Sequence, residues 1–156
     1  MRRDYFTLEV RDVAWVEDGS EPDRPTLVVN FEGPASLLRD RLTGEAAEPL
    51  DREEIDVGFR FQSASDREDA EGVVSVTDRM TGEYLLELNA PASDILHFIL
   101  AAREFSEHTG EDDRYEIEIN IGGSPVVTYE KRTFLVYTKD GNLMREHSLI
   151  PSGVEL

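Results

Sequence analysis

A chain of 156 residues with no cysteine and a formal net charge of -18 is long enough to support one core by itself, because at this size folding buries about 68–70% of the unfolded surface. The absence of cysteine removes disulfides, thiolate metal sites and a cysteine nucleophile together. The acid excess argues against a nucleic-acid partner, since gripping a phosphate backbone requires a basic surface that releases counterions, and no run of Lys and Arg exists.

The first element is a strand. Phe6, Leu8 and Val10 alternate, and Val13 and Trp15 alternate out of phase with them, which predicts a bulge near Arg11-Asp12. The opening Met1-Arg2-Arg3 has the look of a twin-arginine export signal, but Glu9, Arg11 and Asp12 break up any apolar segment after it, so an ordinary strand is expected. Glu17 to Pro25 reads as a polar turn, and Leu27, Val29 and Phe31 as a second strand. Pro34 opens a short helix, Ala35 to Leu42, which Gly44 closes. After a loop from Thr43 to Glu53, Ile55, Val57, Phe59 and Phe61 alternate with Asp56, Gly58 and Arg60, a strand with one wet face. Gln62 to Gly72 is an acidic turn region, and Val73–Asp78 and Glu83–Leu88 are strands around Met80-Thr81-Gly82.

The stretch Ser93 to His108 is the clearest helix. On a wheel turning about 100° per residue, Phe98, Ile99, Ala102 and Phe105 fall on the same side as Ile95, and His97 and Glu104 fall opposite. Leu96 and Leu100 widen one flank. Ser93 or Asn89 is expected to cap the start, Asp94 complements the dipole, and Gly110 supplies the left-handed stop. Tyr115, Ile117, Ile119 and Ile121 then alternate, Gly122-Gly123 turns into Val126–Glu130, and Thr133–Thr138 with Leu143–Leu149 read as a hairpin around Asp140-Gly141. Pro151 to Leu156 is a tail.

The segments LVVNFEGPAS and YLLELNAPAS each place Pro-Ala-Ser at a helix start, and IDVGFRF and VVSVTDR are succeeded later, in the same order, by YEIEINI and VVTYEKR. A strand–helix–strand–strand unit used twice, over 25–82 and 83–150, is the expectation within a single domain spanning 1–156. This element order resembles the paired strand–helix–strand modules of the glyoxalase-like superfamily, but no inward His and Glu match its metal-ligand pattern, so no site is carried over. The opening MRRDYFTLEV, the block KRTFLVYTKDGNL and the ending HSLIPSGVEL resemble, over the whole chain, a family of small haloarchaeal proteins of unknown function.

Composition agrees with that resemblance. Fourteen of the sixteen basic residues are Arg, and only Lys131 and Lys139 are Lys. Such a chain repels itself in dilute salt. In molar salt the screening length falls to about 3 Å and the repulsion largely disappears. A halophilic cytoplasmic protein is therefore expected, with 39% hydrophobic content arguing against acidic disorder. No run of about 18 apolar residues is present, so no membrane span is expected.

Chemistry is sparse. His97, His108 and His147 have no helical zinc spacing, and neither acidic cluster, Asp66-Glu68-Asp69-Glu71 or Glu111-Asp112-Asp113, has calcium-loop offsets. No catalytic motif, metal ligand set or cofactor signature stands out, so the reading leans away from an enzyme. Arg79 and Arg132 occupy matching places in the two units, with Arg60 nearby in pattern, and an Arg fork suits carboxylate or phosphate. His147, beside Glu146, is the candidate base. Arg79, Arg132 and His147 are thus the candidate ligand-binding residues.

The expected fold is α+β: a curved, mainly antiparallel sheet of about eight or nine strands, sandwich-like or barrel-like, with helices 93–108 and 35–42 packed on it. The favoured function is a non-catalytic binding or protein–protein assembly module that forms a homodimer or takes a protein partner through a sheet edge or the Leu96–Leu100 flank. The alternative is a binder or enzyme for a small anionic ligand, with its pocket between helix and sheet.

Overall fold

Alternation in the sequence becomes alternation of burial. The computed structural model describes residues 2–44, 47–67 and 69–151. In β3 (Ile55–Phe61) the four apolar side chains are buried while Asp56 and Arg60 are exposed. In β6 (Tyr115–Ile121), Tyr115, Ile117, Ile119 and Ile121 are buried. With Leu27, Val29 and Phe31 of β2 (Thr26–Phe31), these rows share one hydrophobic core.

The fold is α+β, with eight strands among the described residues in two mixed four-stranded sheets. The first sheet runs β1 (Phe6–Arg11), β2, β6, β7 (Ser124–Lys131), with β2 and β6 parallel. The second runs β5 (Tyr84–Pro91), β4 (Glu71–Asp78), β3, β8 (Leu135–Tyr137), with β3 and β8 parallel. The remaining pairings are antiparallel. The sheets do not close on one another, so the arrangement is sandwich-like and the barrel alternative falls. Among the described residues no helix is long and apolar enough to cross a membrane.

The order strand–helix–strand–strand does occur twice, as β2, α2 (Ala35–Leu42), β3, β4 and as β5, α3 (Ala92–Thr109), β6, β7. Both units make an antiparallel hairpin of their last two strands. Their first strands behave differently. β2 lies parallel beside β6 of the other unit, whereas β5 stays antiparallel on β4, and β8 takes the place beside β3.

The long helix α3 lays Ile95, Phe98, Ile99 and Ala102 into the shared core. The Phe98 ring meets Tyr115 and Phe134 edge-on, at 5.4 and 5.9 Å between centroids, and burying such a ring stabilises by roughly 1.5–3 kcal/mol. Gly110 ends the helix at φ 72, as expected. Its start differs from expectation. Pro91 holds the N-cap and neither Ser93 nor Asn89 caps it. The Ala92 N–H instead donates to the Ala70 carbonyl at 2.9 Å, so a neighbouring loop does the capping.

Two other expectations are corrected. The chain does not continue as a bulged strand beyond Arg11: Asp12 takes φ 62 and Trp15–Asp18 forms a short helix, α1. Trp15 packs on Ala101 and Phe105 of α3, and its Nε1–H donates to Asp12 O at 2.6 Å. At the other end, the expected hairpin is reduced to β8, isolated bridges at Leu143 and Leu149, and a 3-10 turn Arg145–His147. The Ser148 hydroxyl accepts the Val136 N–H and donates to Met144 O, replacing a ladder bond with side-chain bonds. Of the expected tail, only Pro151 lies within the described residues.

Candidate functional site: a basic trough on the second sheet

The wet face of β3 points away from the core. Its outward residues Asp56 and Gly58 pair with Thr77 and Ser75 of β4, and Gly58 and Arg60 pair with Leu135 and Tyr137 of β8. Gly58 lets β8 approach: a Cβ there would stand 2.9 Å from the Leu135 carbonyl oxygen and 4.0 Å from a ring carbon of Tyr137. Two clefts open over this face, of about 600 and 670 Å3. They share Arg60, Ser75 and Tyr84, and so run as one trough. No residue of α2 or α3 lines either cleft. The space between helix and sheet, expected to hold the pocket, is filled by Ile95, Phe98, Ile99 and Ala102.

Two of the three candidate residues come together here. Arg79 and Arg132 line the same cleft, with Arg60. The register explains it. β4 ends with Asp78 opposite Ile55, and β7 ends at Lys131, whose Nζ donates to Ile55 O at 2.8 Å and to Arg52 O at 2.5 Å. Arg79 and Arg132 each come directly after one of those two strands, so both arrive at the start of β3. His147 does not join them. It sits half-buried in the turn Arg145–His147 and lines neither cleft. His97 lies 3.0 Å from Glu17, and His108 is near the Trp15 ring.

Sequence reasoning missed most of the trough. Its walls add Arg3, Arg52, Lys131 and Lys139 to the three arginines, against Glu53, Asp56, Glu87, Glu130 and Asp140. Basic groups are therefore in excess locally, on a chain whose net charge is -18. Both lysines of the chain are here. Arg3 and Arg52 are engaged by carboxylates, Glu87 at 3.5 Å and Asp113 at 2.8 Å. The hydrogen bond from Arg52 holds the Asp113 carboxyl below its ordinary value. Among the described residues no carboxylate lies within ion-pair distance of Arg60, Arg79, Lys131, Arg132 or Lys139. Arg60 donates Nε and Nη2 to the Lys139 carbonyl at 3.3 and 2.7 Å. Burial lowers the Lys131 pKa; Asp56 raises it, and the Arg79 and Arg52 charges lower it further.

Chemically, this is a surface that can hold negative oxygen atoms. Exposed Arg79 and Arg132 present free forks, the Ser75 and Thr77 side chains supply hydroxyls, and Tyr84 and Tyr137 line the walls. No group of three or more His, Asp and Glu among the described residues is placed to hold a metal ion.

No curated protein and no solved structure matches the chain. The chain belongs to a family of unknown function, DUF5793, which matches residues 1–156.

Proposed function

We propose that this chain is a salt-adapted binding module of the haloarchaeal cytoplasm that holds a small anionic ligand, a carboxylate or phosphate compound, in the trough of the second sheet without acting on it chemically. Arg79 and Arg132 grip the anion. Lys131, Arg60 and Lys139 supply the surrounding field. His147, outside the trough, has no part in it.

One observation carries the reading. Carboxylates outnumber cations about two to one in the chain, yet basic side chains outnumber carboxylates along the walls of the trough. Cations without carboxylate partners gathered on one face, together with both lysines of the chain, support a ligand that supplies the missing negative charge. The salt-adapted part rests on the net charge of -18 and the preference for Arg over Lys.

The second reading is a homodimer or protein partner at the helix flank. It draws on Leu100, which is 43% exposed. Leu96 beside it packs against the core, so the flank offers one leucine rather than a patch. Light scattering that gives a dimer mass, lost on Leu100→Glu, would favour this reading.

Titration with pyrophosphate in molar potassium chloride, monitored by amide NMR, tests the anion reading. Shifts are expected at Gly58, Ser75, Thr77 and Gly141, and the Arg79→Gln/Arg132→Gln double variant should lose them. Shifts absent from the trough would end the proposal.

A further inference from the structure

We infer that the trough is two-ended: it takes an elongated small molecule with an anionic group at each terminus and a neutral spacer, laid along β3 across Gly58 and Ser75. This rests on the anion-binding reading and goes beyond it by stating the shape of the ligand.

The cations are not spread evenly. Arg79, Lys131 and Arg132 gather where β4 and β7 end, beside Ile55. Arg60 and Lys139 stand at the opposite end of β3, and the bonds from the Arg60 guanidinium to the Lys139 carbonyl hold that side chain there. Glu53 and Asp56 offset part of the charge at the first end and Asp140 part of it at the second, so neither end is saturated with cations. Between the ends the β3 and β4 positions are uncharged, and the one carboxylate in that row, Glu87 beside Ser75, is met by Arg3 at 3.5 Å. Gly58 faces Ser75 across β3 and β4, and the Tyr137 ring lies close over Gly58.

The register sets the spacing. Arg60 lies opposite Val73, near the start of β4, and Arg79 comes just after the last residue of that strand. At about 3.3 Å per residue their α-carbons stand about 20 Å apart, and inward-leaning arms bring the charge centres to roughly 10–15 Å. A single phosphate can touch only one end. The combined clefts, about 600 and 670 Å3, leave room for a spacer between two anions. Once one anion is held, the second engages its end as an intramolecular event at high effective concentration.

Calorimetry in molar potassium chloride tests this, using α,ω-alkane bisphosphonates of rising spacer length with methylphosphonate as the single-anion reference. Affinity should peak when the phosphonates are roughly 10–15 Å apart, at least about tenfold above methylphosphonate, and fall for longer spacers. Arg60→Gln and Arg79→Gln, each checked for native circular dichroism, should both drop the best bisphosphonate to the reference affinity. If methylphosphonate binds and spacer length makes no difference, or the shortest member binds best, the two-ended arrangement is wrong and the anion reading stands. If neither methylphosphonate nor any bisphosphonate binds, the anion reading fails and this inference fails with it.

Discussion

On the outer face of the first sheet, Glu9, Val28, Glu118 and Thr128 make one cross-strand row, and Arg11, Thr26, Glu116 and Glu130 the next. The equivalent row on the second sheet reads Leu135, Gly58, Ser75 and Glu87. The first face is a carboxylate field in which each arginine is taken up. Arg11 lies 3.1 Å from Glu9 and 3.9 Å from Glu118. Arg24 pairs with Glu111, stands 3.5 and 3.6 Å from Glu116 and Glu130, and covers the Phe105 ring at 5.2 Å. On the second face the arms of Arg79 and Arg132 reach into a trough. The two faces thus differ in whether carboxylates have taken their arginines.

The largest expected effect concerns salt. The first face packs Glu9, Glu116, Glu118 and Glu130 with only two arginines among them. At molar ionic strength repulsion is confined to about 3 Å, and at ~0.01 M it reaches about 30 Å. Circular dichroism should therefore show loss of the fold when molar potassium chloride is dialysed away, and recovery when it is restored. A signal that stays unchanged in dilute buffer would refute the salt-adapted reading and leave the charge contrast between the faces without its physical setting.

A smaller effect is expected at the seam between the sheets, which is joined by neutral groups. Tyr115 Oη donates to Thr133 O at 2.6 Å, and Tyr129 Oη to Leu50 O at 2.7 Å. Both phenols belong to the first sheet, and both acceptors lie on chain leading into the second. Burial raises both phenols, Tyr129 to about 12 and Tyr115 well above its ordinary value. Unfolded phenols release their protons near pH ~10. Above that pH the native state holds more protons than the unfolded state, so stability is lost as pH rises, by about 1.4 kcal/mol per pH unit for each proton retained. Lys131, held below its ordinary 10.5, works in the opposite direction in the window below that value. Urea midpoints measured across this range should fall, and Tyr129→Phe should remove about one proton from the slope. An unchanged slope in that variant would show that Tyr129 is not part of the alkaline transition.

The two main helices were legible to within a residue. The long helix, read as 93–108, runs Ala92–Thr109, and the short one matches its reading as Ala35–Leu42. The wet face read from Asp56, Gly58 and Arg60 became the trough floor. What escaped the sequence depends on distant partners. Val13 and Trp15 look like strand residues until α3 offers Ala101 and Phe105 to bury the indole. Ser148 looks like a strand residue until its hydroxyl takes the Val136 N–H. Arg79 and Arg132 were found by aligning the two units, and the structure brings them to one cleft even though the first strands of those units pair differently. Lys131 and Lys139 were visible as the only lysines, but their common face depends on the parallel docking of β8 on β3, which no local spacing reveals.

The smallest expected effects test the comparison most directly. Arg24 is a hub, with its side chain only 22% exposed among three carboxylates. Arg24→Met should lower stability by about 1–2 kcal/mol, because it removes several charge-assisted bonds and leaves acids facing one another. Arg79→Gln and Arg132→Gln break no ion pair, and exposed changes of that kind stay within about 0.5 kcal/mol. Urea midpoints in molar salt, measured side by side, should separate the two classes. If Arg79→Gln costs as much as Arg24→Met, the second face is held together by its cations, and its arginines are structural like those of the first. If all three changes are silent, Arg24 is not the hub its contacts describe, and the contrast between a neutralised face and an open one loses its energetic basis.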